Sequence, residues 1–399
     1  MPPRPPASVL VVIGIVGLAL NLRPALAAIG PLLDLIEAAT GLSHTQSSLL
    51  TTLPVLVMGL CTLGGGRIGP RLGERRGVGI GIALIAMACG LRTIATGGTG
   101  LLATAVLAGI GIAWVQTLLP AFIKRRFAAA GSVFALYTTG IMAGAAIAAA
   151  SAAGLAQLWG WPAALGVWAL PAALAWSVWS LATRGTRPVP SAAAAPSPID
   201  APQPAQSAFW RNRRAWELML FFGIGTGAYT LVLAWLPPFY TGLGWPATSA
   251  GLLLGGLTLA EVAAGLAVSI FVGRFPDRRP LLLAVLAMLI AGLACLIAAP
   301  QSLALAACLL LGLGIGALFP LSLIVALDHI DEPAQAGRLL AFVQGGGYIV
   351  ASGMPLLAGM LRDRFADLTH AWAAMMAGAV LLLLLVRRFS PASHDRIHA

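Results

Sequence analysis

Pro280–Ala299 reads PLLLAVLAMLIAGLACLIAA, twenty residues without a charge and, Cys295 apart, without a hydrogen-bonding side chain. As an α-helix that length spans about 30 Å, the thickness of the hydrocarbon core of a bilayer. Arg278 and Arg279 stand just before it, where a membrane span would meet the headgroups. Similar runs lie on either side, at roughly 8–33, 46–68, 77–96, 100–123, 130–156, 161–182, 215–241, 247–272, 302–327, 337–360 and 366–388. Together they make twelve. The expected fold class is an all-α membrane protein whose twelve helices form two six-helix bundles related by pseudo-two-fold symmetry.

Composition excludes most other classes. The chain has 399 residues, 59% hydrophobic and 9% charged, with mean hydropathy +0.91. Soluble proteins carry about 25% charged residues. A soluble enzyme, a disordered scaffold and a secreted disulfide protein are poor readings. The net charge of +11 suggests nucleic acid, but the basic residues come in short clusters between apolar runs, with no basic stripe. Cys61, Cys89, Cys295 and Cys308 lie inside apolar runs without metal-ligand spacing. The N-terminus imitates a signal peptide, with Arg4, an apolar run from Val9 to Leu20 and then Ala25-Leu26-Ala27. Asn21-Leu22-Arg23-Pro24 interrupts that run and apolar character resumes, so an uncleaved first span is expected.

Residues 183–214 form the one long polar connection, rich in Pro, Ala and Ser and ending in Arg211-Asn212-Arg213-Arg214. The expected domains are a bundle at 1–182, a cytoplasmic linker at 183–214 and a bundle at 215–399. With both termini in the cytoplasm, 20 of the 24 basic residues fall on that side. Arg23, Arg92, Arg362 and Arg364 are the exceptions. The expected location is the inner membrane. The halves echo each other: Gly66-Arg67-Ile68-Gly69-Pro70-Arg71-Leu72-Gly73 follows span 2, and Gly273-Arg274-Phe275-Pro276-Asp277-Arg278 follows span 8. Gly109-Ile110-Gly111-Ile112 is matched by Gly312-Leu313-Gly314-Ile315, and Gly131 by Gly337. A six-plus-six repeat with a central linker is the plan of a transporter whose halves rock about a midplane site.

These motifs resemble those of the major facilitator superfamily, whose span 2–3 loop reads G-x-x-x-D-R-x-G-R-[RK]. Gly66, Arg71, Gly73 and Arg75 match; Pro70 and Glu74 depart from it. Gly273, Asp277 and Arg278 supply the acid in the second copy. The resemblance implies a gating role for these residues, carried mainly by the second copy. Within the superfamily, several segments look like the cyanate transporter family. They are Asn21-Leu22-Arg23-Pro24, Gly30-Pro31-Leu32-Leu33, Leu50-Thr51-Thr52-Leu53-Pro54, Ile123-Lys124-Arg125-Arg126-Phe127, Ala234-Trp235-Leu236-Pro237-Pro238-Phe239-Tyr240 and Ala326-Leu327-Asp328-His329. The resemblance implies a small anionic cargo such as cyanate; the same family includes exporters of 2-nitroimidazole.

Enzyme motifs are missing: there is no G-x-S-x-G, no H-E-x-x-H, and Ile123 precedes Lys124 where a phosphate loop needs Gly. No catalytic residue, cofactor or metal is expected. Ionisable residues inside spans are costly and usually face a cavity. Arg23 lies past the middle of the first run, beside Asn21 and Pro24, and a guanidinium presents a fork of donors to a planar anion. Snorkelling to the outer headgroups is the competing reading. Arg92 lies near a span end, where a structural role competes with ligand contact. Glu261 sits in mid-span, either as a proton carrier or as the counter-charge to an arginine. Thr52, Trp114, Gln116, Tyr137, Tyr229, Trp235, Phe319, Gln344 and Tyr348 complete the candidate substrate-binding set; helix packing is the alternative for each. Glu217 reads as an ordinary first-turn acid near Arg213 and Arg214. Trp159 and Trp161 read as an interfacial belt. His44, His329, His370, His394 and His398 fall in loops or the tail, which argues against a histidine relay. Asp328, Asp331 and Glu332 could pair with basic residues across the halves.

The expected function is secondary active transport of a small, cyanate-like anion. A proton-coupled exporter of drug-like compounds such as nitroimidazoles is the runner-up, and a non-transporting membrane sensor a distant third. Expected partners are a small-molecule substrate, the lipid bilayer and, as coupling ion, protons. No nucleic acid is expected, and the chain is expected to be a monomer.

Overall fold

The computed structural model describes residues 9–64, 73–127, 130–184, 207–330 and 333–390. Within these residues the secondary structure is helical throughout, with no strand. The long helices are α1 (Val9–Thr40, in pieces), α2 (His44–Gly64), α3 (Glu74–Leu91), α4 (Gly98–Arg126), α5 (Ala130–Trp159) and α6 (Trp161–Ala182, in two pieces). They continue with α7 (Arg213–Gly242), α8 (Ala247–Phe271), α9 (Arg279–Ala298), α10 (Ala304–Asp328), α11 (Pro333–Phe365) and α12 (Thr369–Val386). Eleven are long and apolar enough to cross a membrane. The other, α3, carries Glu74, Arg75 and Arg76 in its first turn and is apolar from Gly77 onward.

Glycine spacing sets how the helices pack. A Cβ on Gly109 of α4 would come 2.7 Å from Pro54 of α2, and one on Gly111 would come 2.5 Å from the Gly81 carbonyl of α3. In the second half, a Cβ on Gly312 of α10 would come 2.6 Å from the Leu257 carbonyl of α8, and one on Gly314 would come 2.9 Å from Leu289 N of α9. Each partner is shifted by six helices, so the echoed Gly-x-Gly pairs are the same two contacts made twice. Small residues let backbones approach this closely, and dispersion then holds them.

The ends of the helices repeat the pattern with the charges exchanged. Glu74 at the start of α3 pairs with Arg125 at the end of α4 at 2.5 Å. Arg278, just before α9, pairs with Asp328 at the end of α10 at 3.0 Å. The expectation that Asp328 would pair across the halves is therefore corrected: its partner is in its own half. Asp331, Glu332, Gly66 and Arg71 lie outside the described residues. Gly73 starts α3 at φ +71°, a conformation favoured by glycine. The Arg75 side chain donates to Thr183 Oγ1 at 2.9 Å, and Asp277 accepts from Arg279 at 2.8 Å. Gly273 lies in a 3-10 turn, Val272–Arg274.

The region expected as a linker is partly helical. Ser207–Arg211 forms a short helix, and α7 starts at Arg213 because the Asn212 side chain accepts from Arg214 N and Ala215 N at 2.9 and 3.3 Å. Phe209 is buried, with its ring 6.2 Å from that of Phe342. Glu217 is clamped by Arg213, Arg214 and Arg388. Three histidines also depart from the loop expectation, since His44 is the first residue of α2. His329 caps α10, buried, with Nδ1 2.7 Å from the Val325 carbonyl, and His370 lies in the first turn of α12. His394 and His398 lie outside the described residues.

A candidate substrate site where the helices break

The first apolar run is not one helix. It comprises Val9–Leu20, Pro24–Ala27, a 3-10 turn Gly30–Leu32 and Leu33–Thr40. Pro24 and Pro31 lack the N–H that a continuous helix needs. Asn21 N and Leu22 N turn back to Leu18 O and Ala19 O instead. The break leaves Arg23 buried near mid-helix, only 6% exposed.

Helices from both halves face Arg23. Its guanidinium carbon lies 5.4 Å from the Tyr229 ring centroid of α7. Tyr137 of α5, Tyr348 of α11 and Glu261 of α8 are close enough to interact with it electrostatically. Glu261 is 4% exposed, held where Gly316 of α10 packs against its own backbone. Both Glu261 carboxylate oxygens, Arg23 Nε and Tyr229 Oη are buried without a hydrogen-bond partner. Thr226 Oγ1, three residues before Tyr229 on α7, is in the same condition, and so is Thr52 Oγ1 of α2. Leaving a buried polar group unpaired costs about 1–3 kcal/mol, more if it is charged. A fold that gathers a guanidinium, a carboxylate and hydroxyls in this state is set up for a polar ligand. The Phe222 ring lies 5.6 Å from that of Tyr348 and 5.4 Å from that of Phe319, forming an aromatic wall.

Of the rest of the expected set, Asn21, Arg92 and Trp235 are engaged in other contacts. Asn21 donates to Gly17 O at 2.8 Å and to Pro171 O of α6 at 3.3 Å, so its amide braces α1 against α6. Arg92 donates to Ala25 O at 2.7 Å and Thr104 Oγ1 at 3.2 Å. Trp114 lies against Gly81 of α3. Gln116 and Gln344 are half-buried, and among the described residues no hydrogen bond ties either to the cluster. Trp235 is fully buried, donates to Pro355 O at 2.9 Å and lies beneath Arg362, away from Arg23 along the first and seventh helices.

Sequence reasoning missed a second polar group, at the end of the bundle where α1 finishes and α2 begins. Arg362 of α11 pairs with Asp34 of α1 at 3.3 Å, and Thr241 of α7 donates to the same carboxylate at 2.5 Å. Asp363 accepts from His44 N and Thr45 N at 3.0 and 2.9 Å, capping α2 from the other half. Glu37 accepts from Ser47 and contacts His44 Nδ1 at 2.9 Å. The signal was present: Arg362 is one of four basic residues that fail to sort to the basic side.

The geometry describes a candidate site at a helix break, and comparisons with known proteins bear on the family and the fold. The chain is 37% identical over 391 residues to "Cyanate transport protein CynX" of Escherichia coli (strain K12), covering 98% of each chain. It is 30% identical over 384 residues to the "2-nitroimidazole transporter" of the same organism, covering 96% of this chain and 94% of the relative. Among solved structures, a D-xylose–proton symporter superposes with a TM-score of 0.78 at 16% identity, over 98% of this chain and 99% of that one; that likeness concerns the fold. The family description "Major Facilitator Superfamily" matches residues 9–355. The chain belongs to the major facilitator superfamily and is a multi-pass secondary transporter.

Proposed function

We propose that this transporter moves a small monovalent anion of the cyanate kind across the inner membrane by alternating access, with Arg23 as the counter-charge. One observation carries the reading: a permanently charged guanidinium, buried at a helix break, faces aromatic rings and a carboxylate to which it is not hydrogen-bonded. An anion arriving there gains the charge-assisted bonds that the fold leaves unmade. The similarity to a cyanate transport protein supports the same cargo class. The chain works as a monomer of two six-helix bundles joined through the segment around 183–214. Both termini and that segment lie in the cytoplasm, following the basic residues. The Asp34–Arg362 end then faces outward, and its ties hold the outer side closed.

The test is counterflow of labelled cyanate in proteoliposomes, with cyanate-dependent thermal stabilisation of the purified protein beside it. Arg23→Gln should abolish both while the protein still extracts as a folded monomer; wild-type values would end the reading. A second reading, proton-driven export of a nitroimidazole-like compound, draws on the two unbonded oxygens of Glu261 and on the 30% identical relative. On that reading Glu261→Gln abolishes proton-driven accumulation but leaves exchange intact. Tighter cyanate binding with unchanged pH dependence would instead mark Glu261 as a competing counter-charge.

A further inference from the structure

Arg23 has its direction because the first helix breaks, and a break leaves backbone groups to be satisfied. In an unbroken helix the Ala25 carbonyl would accept from Ile29 N. Here Ile29 N bonds to Leu26 O at 3.2 Å. Arg92, 1% exposed at the end of α3, reaches across and gives Nη1 to Ala25 O at 2.7 Å. Its Nε donates to Thr104 Oγ1 of α4 at 3.2 Å, and that hydroxyl donates onward to Leu101 O at 2.7 Å. Three helices thus meet at one guanidinium, two residues along the chain from Arg23.

We propose that Arg92 is a positioning residue for the substrate site: it holds the broken segment 21–29 so that Arg23 faces the Tyr229 ring of the other half. The polar ties on segment 21–29 belong to one half, while Gly30 just beyond it packs against the Leu233 carbonyl of α7. Asn21 ties the segment to Pro171 of α6, and Gly144 of α5 lets the Leu20 carbonyl approach closely. Tyr229, Glu261 and Tyr348, which face Arg23, come from the other half. Arg92 therefore fixes Arg23 to the N-terminal helices, and rocking of the halves changes what Arg23 faces without changing how it is held. A lysine cannot replace it, because a single ammonium does not span two acceptors on different helices in a planar fork. The buried charge is costly, and its two hydrogen bonds offset part of that cost only in this geometry.

The proposal rests on Arg23 as the counter-charge, so its test includes a readout independent of transport. Hydrogen–deuterium exchange of peptides covering 21–29 is measured together with the half-saturation of cyanate counterflow. Arg92→Gln should speed exchange in that segment and raise half-saturation about tenfold, the scale expected when a hydrogen bond from a charged group is lost. The maximal exchange rate stays as in the wild type. Arg92→Lys should fall between, and Thr104→Val, which removes only the Nε acceptor, should shift both readouts the same way by less. Arg23→Gln should lose cyanate counterflow with wild-type deuterium exchange over 21–29. If Arg23→Gln transports normally, the substrate reading fails, and faster exchange in the Arg92 and Thr104 variants still supports the brace. Wild-type exchange and half-saturation in both Arg92→Lys and Thr104→Val overturn the proposal, even where Arg92→Gln does not fold.

Discussion

Arg23 and Arg92 carry the same charge, and both are nearly inaccessible. Their partners separate them. Arg92 gives Nη1 to a backbone carbonyl and Nε to a threonine, with only its buried Nη2 unpartnered, whereas Arg23 faces an aromatic ring and an unbonded carboxylate. Sequence could flag both, because any arginine inside an apolar run is costly. It could not rank them by geometry, because Ala25 O becomes available only once Ile29 N has turned to Leu26 O. Asn21 and Trp235 were legible as unusual residues for the same reason, yet both serve as braces. The Tyr229 ring gives a prediction at this scale. A cation over an aromatic face is stabilised by about 0.5–2 kcal/mol. Tyr229→Phe keeps the ring and removes a hydroxyl that has no partner, so cyanate affinity should stay within a few-fold. Tyr229→Leu removes the face and should weaken binding by up to about thirtyfold, the upper end of that cation–ring scale. Equal losses in the two variants, measured by thermal shift against cyanate concentration, would show that the ring contributes nothing.

Helices were the most legible level, because a span needs only length and apolarity. Each of the twelve runs contains or overlaps one of the long helices. The start of α7 was not legible as a boundary: Asn212 looks like part of a basic linker until its side chain is seen capping the next helix. Proline effects show a similar limit. Pro355 cannot donate to Ala351 O, and Thr230 of α7 fills that acceptor at 2.9 Å, a pairing across helices that no local pattern announces. Glycine was more informative, since the echoed Gly-x-Gly pairs did mark equivalent crossings. Gly316 belongs to the same set and presses on the Glu261 backbone. Gly316→Ala places a methyl where α8 already stands. Overpacking of this kind costs about 1–3 kcal/mol. The variant should melt several degrees lower in detergent and lose cyanate stabilisation, because α10 must move away from Glu261. An unchanged melting temperature would mean that the crossing has slack.

At the scale of the whole molecule, the ion pairs between the N-terminal and C-terminal helices lie, among the described residues, at one end. Asp34 binds Arg362 and Thr241, and Asp363 caps α2 through His44 and Thr45. Among the described residues, the ion pairs at the other end, Glu74–Arg125 and Arg278–Asp328, each stay within one half. Ties across the halves stabilise closure at the Asp34 end, while toward the opposite end the halves meet through close packing, Gly345 of α11 against Leu63 of α2. The ties are individually modest, because Asp34 is 40% exposed and its pair with Arg362 is screened by water. Together they bias an equilibrium, and a bias of about 1.4 kcal/mol is a tenfold change in population. Removing them should therefore shift the balance rather than unfold the protein. The measurement is thiol labelling in a background where the four native cysteines are replaced and Thr226→Cys, on α7 beside Tyr229, reports access to the site. An impermeant maleimide added outside intact cells should label this cysteine slowly. Adding Arg362→Ala and Asp363→Ala should raise the labelling rate severalfold, while a charge removed at the other end, Arg278→Ala, should not. If the double variant labels no faster, the Asp34 end is held shut by apolar helix packing alone. If Arg278→Ala is the variant that labels faster from outside, the orientation drawn from the basic residues is reversed.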